Sequence, residues 1–332
     1  MTIGKHLAEF GGLPAFDFVE PGSSAGAQQP VARSLPAADS VAWRVGVDSY
    51  DSQEPWTDRF ARFVSEVDTT AVRSLIVGCW TDAYDKGPEP VIEALVAAAD
   101  RLPALRALFL ADITYEECEI SWINQGLVTP LLEAFPALEW FGVRGGQELR
   151  FPAVRHERLR ELVVQTGGMP ADAVRGIAAS DLPALTHLDL WLGTSEYGGD
   201  SAVEDLAPIL TGALLPSLKH LALRNSEMQD EICLALASAP VVARLDSLDV
   251  SMGVLTDDGA VALLSGQPLT HLSSLDMHHN YLSAAMRTRL TETLGAAGVT
   301  LSLSDDGAES DIDEDDEDDE DGEVWRFVAV GE

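Results

Sequence analysis

A nine-residue phrase, apolar-x-x-Leu-x-x-Leu-x-Leu, recurs along the chain and constrains its fold more than any other feature. It is plainest in LPALRALFL (102–110), LPALTHLDL (182–190) and LPSLKHLAL (215–223), and weaker in FPALEWFGV (135–143), HERLRELVV (156–164), VARLDSLDV (242–250) and LTHLSSLDM (269–277). AVRSLIV (71–77) reads as an opening unit and VTLSL (299–303) as a terminal strand. The second apolar anchor falls at Leu75, Leu108, Phe141, Leu162, Leu188, Leu221, Leu248, Leu275 and Leu301, at intervals of 33, 33, 21, 26, 33, 27, 27 and 26 residues. Half of these intervals are 26 or 27, room for a strand followed by a helix rather than by a tight turn.

The stretches between the phrases carry helical periodicity. PEPVIEALVAAAD (88–100), SAVEDLAPILTGAL (201–214), DEICLALASA (230–239) and SAAMRTRLTETL (283–294) space apolar residues by three and four. Pro90 suits a first helical turn, and Asp200, Thr256 and Ser283 are expected N-caps. Within each phrase, alternation places Leu188 and Leu190 against the helices and turns His187, Asp189 and Trp191 to the other side. One unit alone leaves its leucine face wet, whereas a stack buries a continuous core. Replacing Leu188 or Leu221 by Ala is therefore expected to cost about 2–5 kcal/mol.

The phrase, its 27-residue spacing and TDDGAVALL (256–264) resemble the ribonuclease-inhibitor type of leucine-rich repeat, over residues 71–303. That resemblance implies an α/β leucine-rich-repeat solenoid, a horseshoe with a parallel sheet on its concave face and helices on its convex face. The asparagine that usually follows the last strand leucine by two is kept at Asn225 and, displaced by one, at Asn280. LPAFDF (13–18), VAWRVGVDSYDSQEPW (41–56) and VWRFVAVGE (324–332) resemble a bacterial cytoplasmic family of leucine-rich-repeat proteins of unassigned function.

The flanks complete the domain plan. PGSSAGAQQP (21–30) makes residues 1–40 read as a flexible segment. Residues 41–70 read as a strand-helix cap, with Trp56, Phe60, Phe63, Val64 and Val67 on one face of a helix. After the array, residues 304–323 read as an acidic disordered loop, and the 324–332 strand is expected to pair with 299–303 and close the last edge.

Charge and cysteine content narrow the function. The chain has 55 acidic and 21 basic residues, a net charge of -34, and 14 of the acids lie between Asp305 and Glu323. Such a surface repels phosphates, so neither nucleic acid nor an anionic membrane is an expected partner. Cys79, Cys118 and Cys233 are too few and too widely spaced for a disulfide framework, which fits a reducing cytoplasm. No apolar run reaches the roughly 20 residues of a membrane span. There is no GxxxxGK[ST], HExxH, GxSxG or strand-linked GxGxxG, so no cofactor and no catalytic residue is assigned.

What remains is a surface. Outward strand positions form files across the expected concave face. One contains Trp140, Glu161, His187 and His220, the next Asp189, Ala222, Asp249 and Asp276, and the third Arg144, Gln165, Trp191, Arg224, Ser251 and His278. The three 33-residue intervals lengthen the loops 79–87, 112–122 and 192–200, which carry Trp80, Tyr84, Tyr115, Trp122 and Tyr197. Aromatic and Arg anchors on a preformed sheet suit protein docking, which makes the expected function a monomeric, non-enzymatic scaffold or adaptor. Two alternatives stand beside it. His187, His220 and Asp189 lie close enough across two strands for a metal-dependent enzyme. The acidic segment could instead hold a basic partner.

Overall fold

The computed structural model describes residues 3–18, 35–49, 52, 54–308, 310–312 and 324–331. The PGSSAGAQQP linker reading and most of the acidic-loop reading lie outside the described residues.

Among the described residues, twelve strands stand side by side in sequence order, in an open sheet that does not close into a barrel, with eight α-helices. A two-strand hairpin, β1 (Glu9–Phe10) and β2 (Leu13–Asp17), leads into β3 (Ala42–Val45), α1 (Trp56–Glu66) and β4 (Ser74–Val77). Then come α2 (Glu89–Ala97), β5 (Ala107–Leu110), α3 (Thr129–Ala134), β6 (Trp140–Arg144), β7 (Glu161–Gln165) and α4 (Ala171–Ala178). They are followed by β8 (His187–Gly193), α5 (Ala207–Thr211), β9 (His220–Ser226), α6 (Gln229–Leu236), β10 (Ser247–Asp249), α7 (Asp257–Ser265), β11 (Ser274–Asp276), α8 (Ala284–Leu290) and β12 (Thr300–Ser302). From β2 to β12 every pairing is parallel. The 21-residue interval is the repeat without a helix, because 145–160 crosses from β6 to β7 in extended and turn conformations.

All nine anchors share one register. Leu75 pairs with Leu108, then Phe141, Leu162, Leu188, Leu221, Leu248, Leu275 and Leu301. The first eight are at most 1% exposed, so the leucine ladder is the core. The ladder also extends forward through Trp43 to Phe16. Residues 9–17 thus enter the sheet, inside the segment that composition marks as flexible. The reason is local: Phe10-Gly11-Gly12-Leu13 forms a two-residue turn in which both glycines have positive φ, at 60° and 73°. The hairpin delivers Phe16 and Phe18 edge-on to Trp43, with ring centroids 5.4 and 6.4 Å away.

Stacking is fixed by polar contacts as well as leucines. Thr256 and Ser283 cap α7 and α8, and each also bonds the acid at the start of the preceding helix. Asp230 accepts from Thr256 N and Oγ1 at 2.8 and 2.6 Å, and Asp257 from Ser283 N and Oγ at 2.8 and 2.7 Å. Asp200 departs from its expected role. It accepts the Ala171 N–H at 2.6 Å and so serves α4 of the repeat before, not the helical turn that follows it.

The carboxyl-terminal strand also departs from expectation. β14 (Val324–Arg326) pairs antiparallel with β13 (Ser310–Ile312), not with β12. The residues after it turn back over the ends of β9–β11, where their backbone finds partners. The Phe327 carbonyl accepts from His279 Nε2 at 3.0 Å and Tyr281 Oη at 2.9 Å, and Ala329 N donates to Met252 O at 2.8 Å.

Candidate functional site

The helix-free face of the sheet divides into a covered part and an open part. Both chain termini supply the cover. The β1–β2 hairpin folds Leu7 and Phe10 onto Ala42, Ile76 and Phe109, the outward residues of β3–β5. Gly11 permits this approach, since a Cβ there would stand 2.5 Å from the Ala107 Cβ. Further along, Ile3 and Val330 pack over a cluster of Ile120, Trp191 and Met252.

Under this cover lie two charge networks. Asp112, whose side chain is fully buried, faces Arg44 Nε at 2.8 Å and Arg144 Nη1 at 3.5 Å, and accepts the Leu7 N–H with both oxygens. Burial pushes this carboxyl up, but the His6 hydrogen bond and the charges of Arg144 and Arg44 outweigh it and hold it below the ordinary range. The second network centres on Arg224. Its guanidinium grips Asp189 through two hydrogen bonds of 3.0 and 2.6 Å, reaches Asp249 at 3.2 Å and lies 5.2 Å from the Trp191 ring centre.

Five residues expected to meet a partner are therefore buried: Arg144, Asp189, Trp191, Arg224 and Asp249. Alternation assigned their side of the sheet correctly but carries no information about a distant segment lying on top. An Arg flanked by Asp side chains on neighbouring strands also pairs with them instead of reaching out.

The amino-terminal file stays partly open. Trp140, Glu161, His187, His220, Ser247 and Ser274 stand on successive strands, each half-buried. The His187 and His220 rings stack face to face, 4.0 Å apart and 19° from parallel, and His220 Nδ1 is hydrogen-bonded to Ser247 Oγ. Burial, with the neighbouring His220, lowers the His187 pKa to about 4; burial also lowers that of His220. Both are neutral at pH 7. Nitrogen lone pairs lie in the ring plane, so those of two stacked rings run side by side and do not converge on one ion. Asp189 is occupied by Arg224, and among the described residues no group of three or more His, Cys, Asp or Glu is placed to hold a metal. Asp276 and His278 sit apart from this pair, joined by a 2.8 Å contact at the end of β11.

The long loops form a third region. Tyr84, Trp122 and Tyr197, one from each loop, make an aromatic row with centroid separations of 5.8 and 6.4 Å. Tyr84 is 56% and Trp122 37% exposed, while Tyr197 is half-buried. Trp80 does not join them: it is buried and donates Nε1–H to Lys86 O. Tyr115 is exposed but stands against the amino-terminal segment, its N–H donating to Ile3 O. Carboxylates of Asp82, Asp85, Glu116, Glu119 and Glu196 share these loops. Cys79, Cys118 and Cys233 are buried free thiols, and burial pushes the Cys118 thiol up to about 11.

Fold and face together define an open α/β repeat solenoid with a largely parallel sheet. Among solved structures it is similar to a Bacteroides fragilis protein crystallised as a structural-genomics target, with a TM-score of 0.71 and 25% identity over 84% of this chain and 74% of that one. No family model and no curated protein matches the chain. No helix among the described residues is long and apolar enough to cross a membrane.

Proposed function

We propose that this chain is a leucine-rich-repeat protein of the ribonuclease-inhibitor type that acts without catalysis, as a monomeric cytoplasmic adaptor holding one partner protein. The observation that carries this reading is the row of Tyr84, Trp122 and Tyr197, assembled from three separately lengthened loops, with Tyr84 and Trp122 exposed and Tyr197 half-buried behind them. Large rings left in water at one rim have no role in the core, and aromatic side chains are the most frequent energetic anchors of protein interfaces. The half-open file of Trp140, Glu161, His187 and His220 extends the contact area along the sheet. Arg144, Asp189, Trp191, Arg224 and Asp249 support that face from within, while Asp276 and His278 mark its far end. Acids around the rings favour a partner surface in which Lys or Arg surrounds an apolar centre.

The test compares the full chain with a Tyr84→Ala/Trp122→Ala variant and with Leu234→Ala, a control at a 64% exposed position on α6. Loss of two anchors that together supply about 2 kcal/mol or more should weaken partner retention by roughly 30-fold at the least, with no change in the control. Equal retention by all three proteins would refute the assignment.

A further inference from the structure

The residues that hold the chain's own carboxyl-terminal tail are spaced as a repeated device. Asn225, Met252 and His279 lie 27 residues apart, each four after its anchor leucine, and all three have left-handed backbones with φ of 52°, 68° and 50°. Each donates its own N–H to the next repeat, to Ser251 O, His278 O and Ser304 O at 2.8–2.9 Å. That leaves a side chain or a carbonyl of each to face the trough along the strand ends.

The tail runs through this trough and is read through its backbone. Asn225 grips Val330 from both sides, Oδ1 accepting its N–H at 3.0 Å and Nδ2 donating to its carbonyl at 2.6 Å. Met252 O accepts from Ala329 N, His279 Nε2 and Tyr281 Oη meet the Phe327 carbonyl, and Ser121 Oγ donates to Gly331 O. Gly167 keeps the far end clear, since a Cβ there would lie 2.4 Å from Gly331 O. Side chains contribute little. Phe327 is 51% exposed, and Val330 alone packs into the apolar cluster of Trp191, Ile120, Met252 and Ile3.

We infer that this trough is a binding site for an extended peptide with a small aliphatic residue followed by glycine, and that residues 327–331 are its built-in, displaceable occupant. Asn clamps on a peptide backbone fix an extended segment while tolerating most side chains, and a single apolar notch sets the register. A partner segment of that kind gains access by replacing the tail, whose covalent attachment gives it a high effective concentration. The inference rests on reading this side of the protein as a docking surface, but it concerns the trough and not the aromatic row.

The experiment places a protease site within 313–323 of the full chain and cuts it after folding. A fluorescent peptide of residues 324–332 is then added at increasing concentration, with polarisation and the mass of the released tail as readouts. Saturable uptake of the labelled peptide, matched by release of the original tail, is the expected result. Asn225→Ala should weaken uptake by roughly tenfold or more, because both backbone contacts of Val330 are lost together. Replacing the peptide's Val330 by Asp should abolish uptake. A tail that never exchanges, or uptake equal in the wild type and Asn225→Ala, would overturn the proposal. Since the peptide assay needs no partner and leaves Tyr84 and Trp122 intact, its failure is distinct from failure of the rim assignment.

Discussion

Asp112→Asn changes one atom of a side chain with no solvent exposure and removes the charge that two guanidiniums share. Arg44 keeps its 2.7 Å partner Asp17, which is 61% exposed, so it retains a carboxylate near water. Arg144, only 2% exposed, keeps hydrogen bonds to neutral partners, the Gln165 amide at 3.0 Å and the Ile113 carbonyl at 2.6 Å, and the Glu117 carboxylate acts on it without a direct ion pair among the described residues. A buried charge left without its partner typically costs about 3–5 kcal/mol, and an Asn oxygen still available to Leu7 N recovers only part of that. Because repeats unfold with their neighbours and not always all at once, the loss should concentrate in the front of the solenoid. We expect a lower urea midpoint by tryptophan fluorescence and faster tryptic cleavage after the exposed Lys5, in the segment that Asp112 ties down. Arg144→Met in the same chain should restore most of the loss by removing the orphaned charge. A loss below about 1 kcal/mol, or no rescue by Arg144→Met, would refute the claim that this network anchors the amino-terminal cover.

Acid should weaken the fold through the stacked histidines. His187 titrates at about 4 when folded against 6.5 as its ordinary value, so the unfolded chain binds more protons between those limits and stability falls as pH drops through that window. The ceiling from this residue is about 3 kcal/mol, read as a thermal midpoint that drops on acidification and drops less in His187→Gln. Asp112 acts in the same direction lower down, since its depressed carboxyl contributes stability above the ordinary carboxylate range and loses it as pH falls. Gly11→Ala combines a φ of 60° with a 2.5 Å clash on Ala107 and should free the segment around Lys5 to trypsin while leaving unfolding of the later repeats unchanged.

The leucine ladder was legible because its signal is periodic: one register joins Leu75 to Leu301, and each rung was visible as a repeated phrase. The amino-terminal hairpin was less so. Its turn signal, Phe10-Gly11-Gly12-Leu13, is short and stands before a small-residue stretch whose composition dominates any window. Partial coverage of the face was not legible at all. Trp191 alternates as an outward residue should, yet Ile3 and Val330, 188 and 139 residues away in sequence, bury it. Asn225 shows the same limit, since its place in the repeat is a sequence property while its bond to Val330 depends on where the chain end returns. The aromatic row needed both levels. Loop length placed five aromatic residues at one rim, and the fold separates Trp122, which is exposed, from Trp80, which is core.

The central claim, that a partner docks on the rim and open file, is tested most directly by site-specific photo-crosslinking in the native cell. A photoreactive residue replaces Trp122, His220 or, as a control on α7, the 38% exposed Val261. The account predicts one common protein adduct from positions 122 and 220 and none of that mass from 261. Adducts confined to position 261, or different at 122 and 220, would contradict it.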